Sequence, residues 1–203
     1  MIIIPELETV LLQPPRTGTS SVKDAVLNTY PKAFMLYRHM EANGIPVGYE
    51  KFHIVCQVRC PFERMESLFK YMSNPEFRED TNPTWFARVQ AATAGGFEDW
   101  LLNSEYIFAN PTPSLDKHFR PRYMVNHAWR EQIKSQRLWA EGADQLIRYE
   151  RLRGDVMATL NIDLDLHRGR SSQQSLEWTP AMIQHMRDWH DWDISLYFGR
   201  VPS

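Results

Sequence analysis

Apolar positions along this chain change their spacing several times, and each change marks an element. Thr9 to Gln13 is a short apolar run closed by Pro14 and Pro15, too short for a helix and suited to a buried strand. Val22, Ala25, Val26 and Tyr30 recur at helical spacing, which predicts a first helix over residues 20–30 with Ser20 or Ser21 as its cap and Pro31 at its end. Lys32 to Glu41 follows, then a turn at Asn43-Gly44-Ile45-Pro46. Phe52 to Val58, β-branched and apolar, predicts the second strand. A helix opens at Pro61, a first-turn proline, and carries Met65, Leu68, Phe69 and Met72 as its stripe.

Asn74-Pro75, Asn82-Pro83 and Asn110-Pro111-Thr112-Pro113 mark polar loops. Trp85 to Ala94 predicts a helix broken by Gly95-Gly96, and Phe97 to Leu102 a shorter one. Tyr123 to Glu141 reads as a long amphipathic helix ended by Gly142, Gln145 to Tyr149 as a third strand, and Asp155 to Leu160 as a short helix. His167 to Ser175 is a polar, basic loop. Thr179-Pro180 then sets a cap and proline start for a closing helix whose apolar positions are Ile183, Met186, Trp189, Trp192 and Leu196. Strands separated by helices predict an α/β fold, a central mostly parallel sheet flanked by helices. With no repeat and no linker, residues 1–203 read as a single domain.

Composition narrows the chemistry. A formal charge of −2 leaves no basic footprint for nucleic acid. Met1 to Pro5 is too short for a signal peptide or anchor, and no later apolar run has the length of a span, so no membrane partner is expected. Cys56 and Cys60 flank a strand end, where a disulfide would spoil the strand and two thiols make a poor metal site. Reduced thiols in a cytoplasmic protein are the expectation. No carboxylates cluster at ligand spacing, so no metal is expected. Trp85 and Phe86 offer rings for adenine or a sugar, with filling the core as the other use.

Two segments can hold phosphate, each with a plainer reading beside it: an ordinary strand-to-helix turn for the first, and an Arg that caps the sheet with a Ser on a solvated face for the second. Val10 to Val22 runs strand, hydroxyl-rich turn, helix N-terminus, so that free N–H groups and the positive helix end converge where Arg16 adds a charge. Arg59 stands at the end of the second strand and Ser67 two turns into the next helix, where a guanidinium and a hydroxyl can clasp a second phosphate. A nucleoside-triphosphatase loop needs a second Gly followed by Lys and Ser or Thr, and neither that Gly nor that Lys is present.

Pro15-Arg16-Thr17-Gly18-Thr19-Ser20-Ser21 resembles the Pro-Lys/Arg-x-Gly-Thr/Ser-x-Ser loop of sulfotransferases that use 3′-phosphoadenosine 5′-phosphosulfate. Val58 to Ser67 resembles their second motif, Val-Arg-x-Pro-x-x-Arg-x-x-Ser, with Cys60 where Asp or Asn is common. Phe97-Glu98-Asp99-Trp100, Ile147 to Leu152, and Asp193 with Leu196-Tyr197 are weaker likenesses toward the C-terminus. The chain looks closest to the compact carbohydrate-type branch. The resemblance implies a P-loop nucleoside-triphosphate-hydrolase-like sulfotransferase fold and transfer of a sulfuryl group to a hydroxyl of a sugar or glycan, without a metal. It implies that Arg16, Thr17, Gly18, Thr19, Ser20 and Ser21 hold the cosubstrate's 5′ side, that Arg16 neutralises the leaving group, and that Arg59 and Ser67 hold the 3′-phosphate.

His39 is the first candidate for the base, falling between the two motifs where such enzymes commonly carry a His, and Glu41 is the second. Arg170 is a further candidate over the adenosine phosphate, and His127 and Gln132 are placed toward the acceptor. His53, His185 and His190 are read as structural. A non-catalytic nucleotide-binding protein and a nucleotide kinase or triphosphatase remain as alternatives.

Overall fold

Strands that are apolar at every position need cover on both faces, and this chain provides it. The computed structural model describes residues 1–74, 90–108, 135–165 and 175–199, with the side chains of 104–108 excepted. Five strands form one sheet: β1 (Ile2–Ile4), β2 (Thr9–Leu12), β3 (Phe34–Met35), β4 (His53–Val58) and β5 (Gln145–Arg148), in the order β3-β1-β2-β4-β5. Around it lie α1 (Thr19–Thr29), α2 (Pro61–Ser73), α3 (Gly96–Phe108), α4 (Arg137–Ala140), α5 (Leu152–Leu160) and α6 (Pro180–Phe198).

The residues alternate between two cores at period two. Ile2, Ile4, Leu11, Val55 and Ile147 pack with Val22 and Val26 of α1 and with Leu152, Val156 and Leu160 of α5. Met1, Ile3, Val10, Leu12, Cys56 and Val58 pack with Trp139 of α4, and Trp192 and Leu196 of α6 lie against them. A third packet joins α2, α3 and α6 through Met65, Leu68, Met72, Trp100, Leu101, Met182 and Met186.

The sheet is mixed, which corrects the mostly parallel expectation. β2 pairs β4 and β4 pairs β5 in parallel, but β1 runs antiparallel to both β2 and β3. One 3-10 turn (Pro5–Leu7) and a left-handed Glu8 return the chain from β1 into β2, a reversal far too short for a parallel crossover.

Several expectations for the helices change. α1 begins at Thr19 with Gly18 as its N-cap at φ 83° and no side-chain cap, so neither Ser20 nor Ser21 caps it. Of the long helix expected over 123–141, residues 123–134 lie outside the described residues and the described part is helical at Arg137–Ala140, with Ser135 and Gln136 bonded to Asp193 ahead of it. α3 runs beyond Leu102, and α5 starts at Leu152 rather than Asp155. Pro61 does open α2, and the Thr179 hydroxyl does cap α6, accepting from the Met182 N–H. No helix among the described residues is long and apolar enough to cross a membrane, and both cysteines are free thiols.

Candidate anion-binding site

The sheet order places one crevice. From β2 the chain leaves through α1 to the β3 edge, whereas β4 and β5 lie on the other side. Their parallel carboxyl ends diverge between β2 and β4, a topological switch point, where open α/β sheets take their ligands. Leu12 pairs Cys56 and Val58 pairs Arg148, so the turns carrying Arg16, Arg59 and Tyr149 emerge side by side.

The first turn is built from inside. Gln13 donates through Nε2 to Gln57 Oε1 at 2.6 Å and to the Thr19 carbonyl at 3.2 Å, and Gln57 Nε2 donates to the Thr17 carbonyl at 3.1 Å. Thr17 Oγ1 donates to the Pro14 carbonyl at 2.8 Å. Arg64, fully buried on α2, donates from Nε to the Pro15 carbonyl at 3.0 Å. Burial lowers its pKa to about 10 against the opposing pull of Asp193, so it stays cationic at neutral pH. With these carbonyls satisfied from within the core, the first N–H groups of α1 are left without intrahelical partners. Gly18 is required here: its φ is positive, and a Cβ would stand 2.8 Å from Leu152 Cδ2 and 3.2 Å from the Tyr149 ring.

Two guanidiniums lie beside this turn. Arg16, itself left-handed at φ 67°, donates from Nε to Ser67 Oγ at 3.1 Å and lies 4.5 Å over the Tyr71 ring. Burial lowers its pKa; Tyr71 opposes this and Arg59 adds to it. Arg59 lies 4.1 Å over the Tyr149 ring, reaches the Arg16 carbonyl from Nη1 at 3.4 Å, and stands 3.5 Å from Glu63 of α2. Its Nε is buried with no partner, and the terminal nitrogens of Arg16 make no hydrogen bond among the described residues. Stacking on an aromatic face orients each cation without using its in-plane donors, so that the Arg59 Nε and the Arg16 terminal nitrogens stay uncommitted among the described residues. Ser67 accepts from Arg16, and its own O–H remains to donate.

On the β3 side, His39 Nδ1 donates to the Gln13 carbonyl at 2.8 Å, since a carbonyl can only accept, which leaves Nε2 as the unprotonated nitrogen. Its backbone is left-handed at φ 61°, and Trp139 Nε1 donates to its carbonyl at 3.0 Å. Burial pushes its pKa down to about 3; the Gln13 bond opposes this, and Arg38 and Arg64 reinforce it. Arg38 donates from Nη2 to Ser20 Oγ at 3.1 Å, joining this segment to the first turn of α1. Among the described residues four other than glycine have positive φ, and Arg16 and His39 are two of them. Such backbone costs of order 1 kcal/mol or more and collects at functional sites.

Known proteins add nothing to the comparison. No family model, curated protein or solved structure matches this chain. Its chemistry therefore rests on its own residues.

The structure brings Arg16, Gly18, Ser20, Arg59 and Ser67 to one place, with Thr17 and Thr19 buried beneath them and Ser21 half-buried in the first turn of α1. Thr17 contributes no free hydroxyl, because that group is bound to Pro14. Glu41 is buried where the chain enters a 3-10 turn at Ala42–Gly44. Arg170, Trp85, Phe86, His127 and Gln132 lie outside the described residues. His53 is at the opposite, amino end of β4, beside Gln145 and Asp144. No metal-holding group of His, Cys, Asp and Glu occurs among the described residues. Sequence reasoning gave no role to Gln13, Gln57, Arg64, Tyr71 or Tyr149. Gln57 inside an apolar strand, and Arg64 one place before Met65 on the buried stripe of α2, were the available signals.

His39 makes stability depend on pH. Its folded pKa near 3 lies below the unfolded value near 6.5, so the unfolded chain binds the proton first. Its contribution is whole above about pH 6.5 and is lost progressively as pH falls toward 3, amounting to about 2 kcal/mol by pH 5. Urea unfolding at pH 7.5 and pH 5 is expected to show that loss, and His39→Asn to flatten it. An equal loss in the variant would remove His39 as the cause.

Proposed function

We propose that this protein is a sulfotransferase that binds 3′-phosphoadenosine 5′-phosphosulfate at the switch-point crevice and passes its sulfuryl group to a hydroxyl, of a sugar or glycan. The carrying observation is that Arg16, Arg59 and Ser67 meet beside the turn that leads into α1, a helix with no side-chain cap, with the Arg59 Nε buried and without a partner among the described residues. A donor set of two stacked guanidiniums, one hydroxyl and a helix end fits two phosphate groups on one ligand. When bound, the cosubstrate supplies the sulfuryl group and an adenosine bisphosphate leaving group. Loop N–H groups and Arg16 stabilise negative charge at the bridging oxygen, the step at which a loose transition state needs it most. Arg59 and the Ser67 hydroxyl orient the 3′ side.

His39 has its proton on Nδ1, so Nε2 is the atom able to receive the acceptor's proton. A base held at pKa near 3 takes a proton weakly; polyanion binding would oppose the Arg38 and Arg64 fields that reinforce the depression. That low value is also the one observation that favours a second reading, a nucleotide-binding protein without turnover.

Calorimetry with adenosine 3′,5′-bisphosphate and with ATP and magnesium tests the first claim. Micromolar binding of the bisphosphate without magnesium is expected. Binding of ATP with magnesium and not of the bisphosphate would sink it. Turnover with a labelled donor and a panel of glycans separates the two readings, and its loss in His39→Ala with bisphosphate affinity kept would mark the base.

A further inference from the structure

We propose that Gln136 is a positioning residue for Arg59, held in that task by Asp193 of the closing helix; this rests on the anion-binding role proposed for Arg59. Gln136 grips the Arg59 peptide on both sides. Its Oε1 accepts from the Arg59 N–H at 2.9 Å and its Nε2 donates to the Arg59 carbonyl at 2.9 Å. One planar amide thereby fixes both backbone groups of the residue that turns off β4, as a neighbouring strand would, at a place where the sheet ladder has ended.

Gln136 cannot move away. It is 1% exposed, and its own N–H donates to Asp193 Oδ2 at 2.9 Å, while the Ser135 hydroxyl donates to Oδ1 at 2.6 Å. Asp193 is 0% exposed. Burial pushes its carboxyl up, yet His190, Arg64 and Ser135 together hold it below the ordinary value, so it is an acceptor on both oxygens at neutral pH. Around the same turn, Glu150 Oε1 accepts from the Cys60 N–H at 3.0 Å, and Tyr149 supplies the ring beneath the Arg59 guanidinium. Tyr149–Glu150 and Asp193, from two of the three weaker likenesses toward the C-terminus, thus converge on this turn.

The guanidinium has few anchors of its own. It makes one 3.4 Å hydrogen bond, to the Arg16 carbonyl, a 3.5 Å ion pair with the exposed Glu63 and a stacking contact, and its Nε has no partner among the described residues. Its direction is therefore set by where the backbone starts it, and Gln136 sets that start. A small rotation of this peptide, carried along the side chain, would move the donor fork off any bound phosphate.

The test is a double-mutant cycle read in bisphosphate affinity and in thermal stability. Gln136→Ala is expected to raise the Kd for adenosine 3′,5′-bisphosphate about tenfold, the loss of roughly one charged phosphate contact, and Arg59→Ala by more. In the Arg59→Ala background the Gln136 effect on Kd is expected to vanish, while its effect on Tm remains. A purely structural Gln136 would lower affinity equally in both backgrounds, and that result overturns the proposal. A second measurement needs no ligand. The Arg59 Nε–H resonance is expected to be sharp in the wild-type protein and broadened in Gln136→Ala, with that of Arg16 unchanged. An unaltered Arg59 resonance would refute positioning. Absence of bisphosphate binding by wild-type protein would refute the proposed function and leave the resonance to judge the clamp.

Discussion

Replacing Arg16 by Ala is expected to lower turnover about a thousandfold with a much smaller change in bisphosphate affinity. The magnitude follows from what is removed: one preorganised charged donor aimed at developing negative charge, a loss that typically amounts to 10²–10³ or more in rate. The split between rate and affinity follows from the proposed roles. Arg59 and Ser67, proposed to hold the 3′ side of the ligand, remain in the variant, whereas the Arg16 donors beyond its Nε bond to Ser67 are those proposed to meet the bridging oxygen. Because Arg16 has φ 67°, the alanine variant also carries backbone strain with no compensating contact. Arg16→Gly relieves that strain and lacks the same guanidinium, so the two variants are expected to be equally inactive while the glycine variant is the more stable. Arg16→Lys keeps a charge but loses the fork and the Nε contact to Ser67, placing its turnover between wild type and alanine. Unchanged turnover in both small variants would remove Arg16 from the reaction.

The parts of this architecture that were legible in advance are those with strong local signals. β2 and β4 are apolar runs ended by proline or by a change of residue type, and Pro61 and Thr179-Pro180 start helices for reasons internal to those residues. What escaped is non-local. β1 is three isoleucines with no alternation to reveal a strand, and its pairing with β2 depends on the Glu8 reversal. β3 is two exposed residues held at the sheet edge by β1. Ser135 and Gln136 stand just ahead of α4, where the Ser135 hydroxyl and the Gln136 N–H bond to Asp193, more than fifty residues away. The site divides in the same way. Arg16, Arg59 and Ser67 were singled out by two segments that resemble sulfotransferase motifs, and the structure brings the three together. The rings of Tyr71 and Tyr149 that hold the two guanidiniums come from other elements, and their partnership exists only once α2 and β5 are in place.

Removal of Arg64 is expected to be the most damaging single change to stability. Arg64→Met keeps the length of the aliphatic stem but deletes a fully buried cation whose Nε satisfies the Pro15 carbonyl. The carbonyl loses its donor, and the buried Asp193 loses one of the charges that hold it ionised. Breaking a buried charge system by taking one member away costs about 3–5 kcal/mol, because the remaining group stays desolvated. Asp193 then protonates at a higher pH. Its depressed pKa gives stability that is present above the unfolded value near 3.9 and lost as pH falls through the folded one, so the variant is expected to begin losing stability at a higher pH than wild type. Bisphosphate affinity is expected to fall with it, since Pro15 and Arg16 share the turn that Arg64 holds from below. Urea unfolding at pH 7.5 and pH 4.5 measures both effects. Arg64→Lys, which keeps the charge and loses the directed Nε bond, is expected to retain the acid profile of wild type while losing about 1–2 kcal/mol. A methionine variant within 0.5 kcal/mol of wild type would mean that the Pro14–Gly18 turn is held by Gln13 and Gln57 alone.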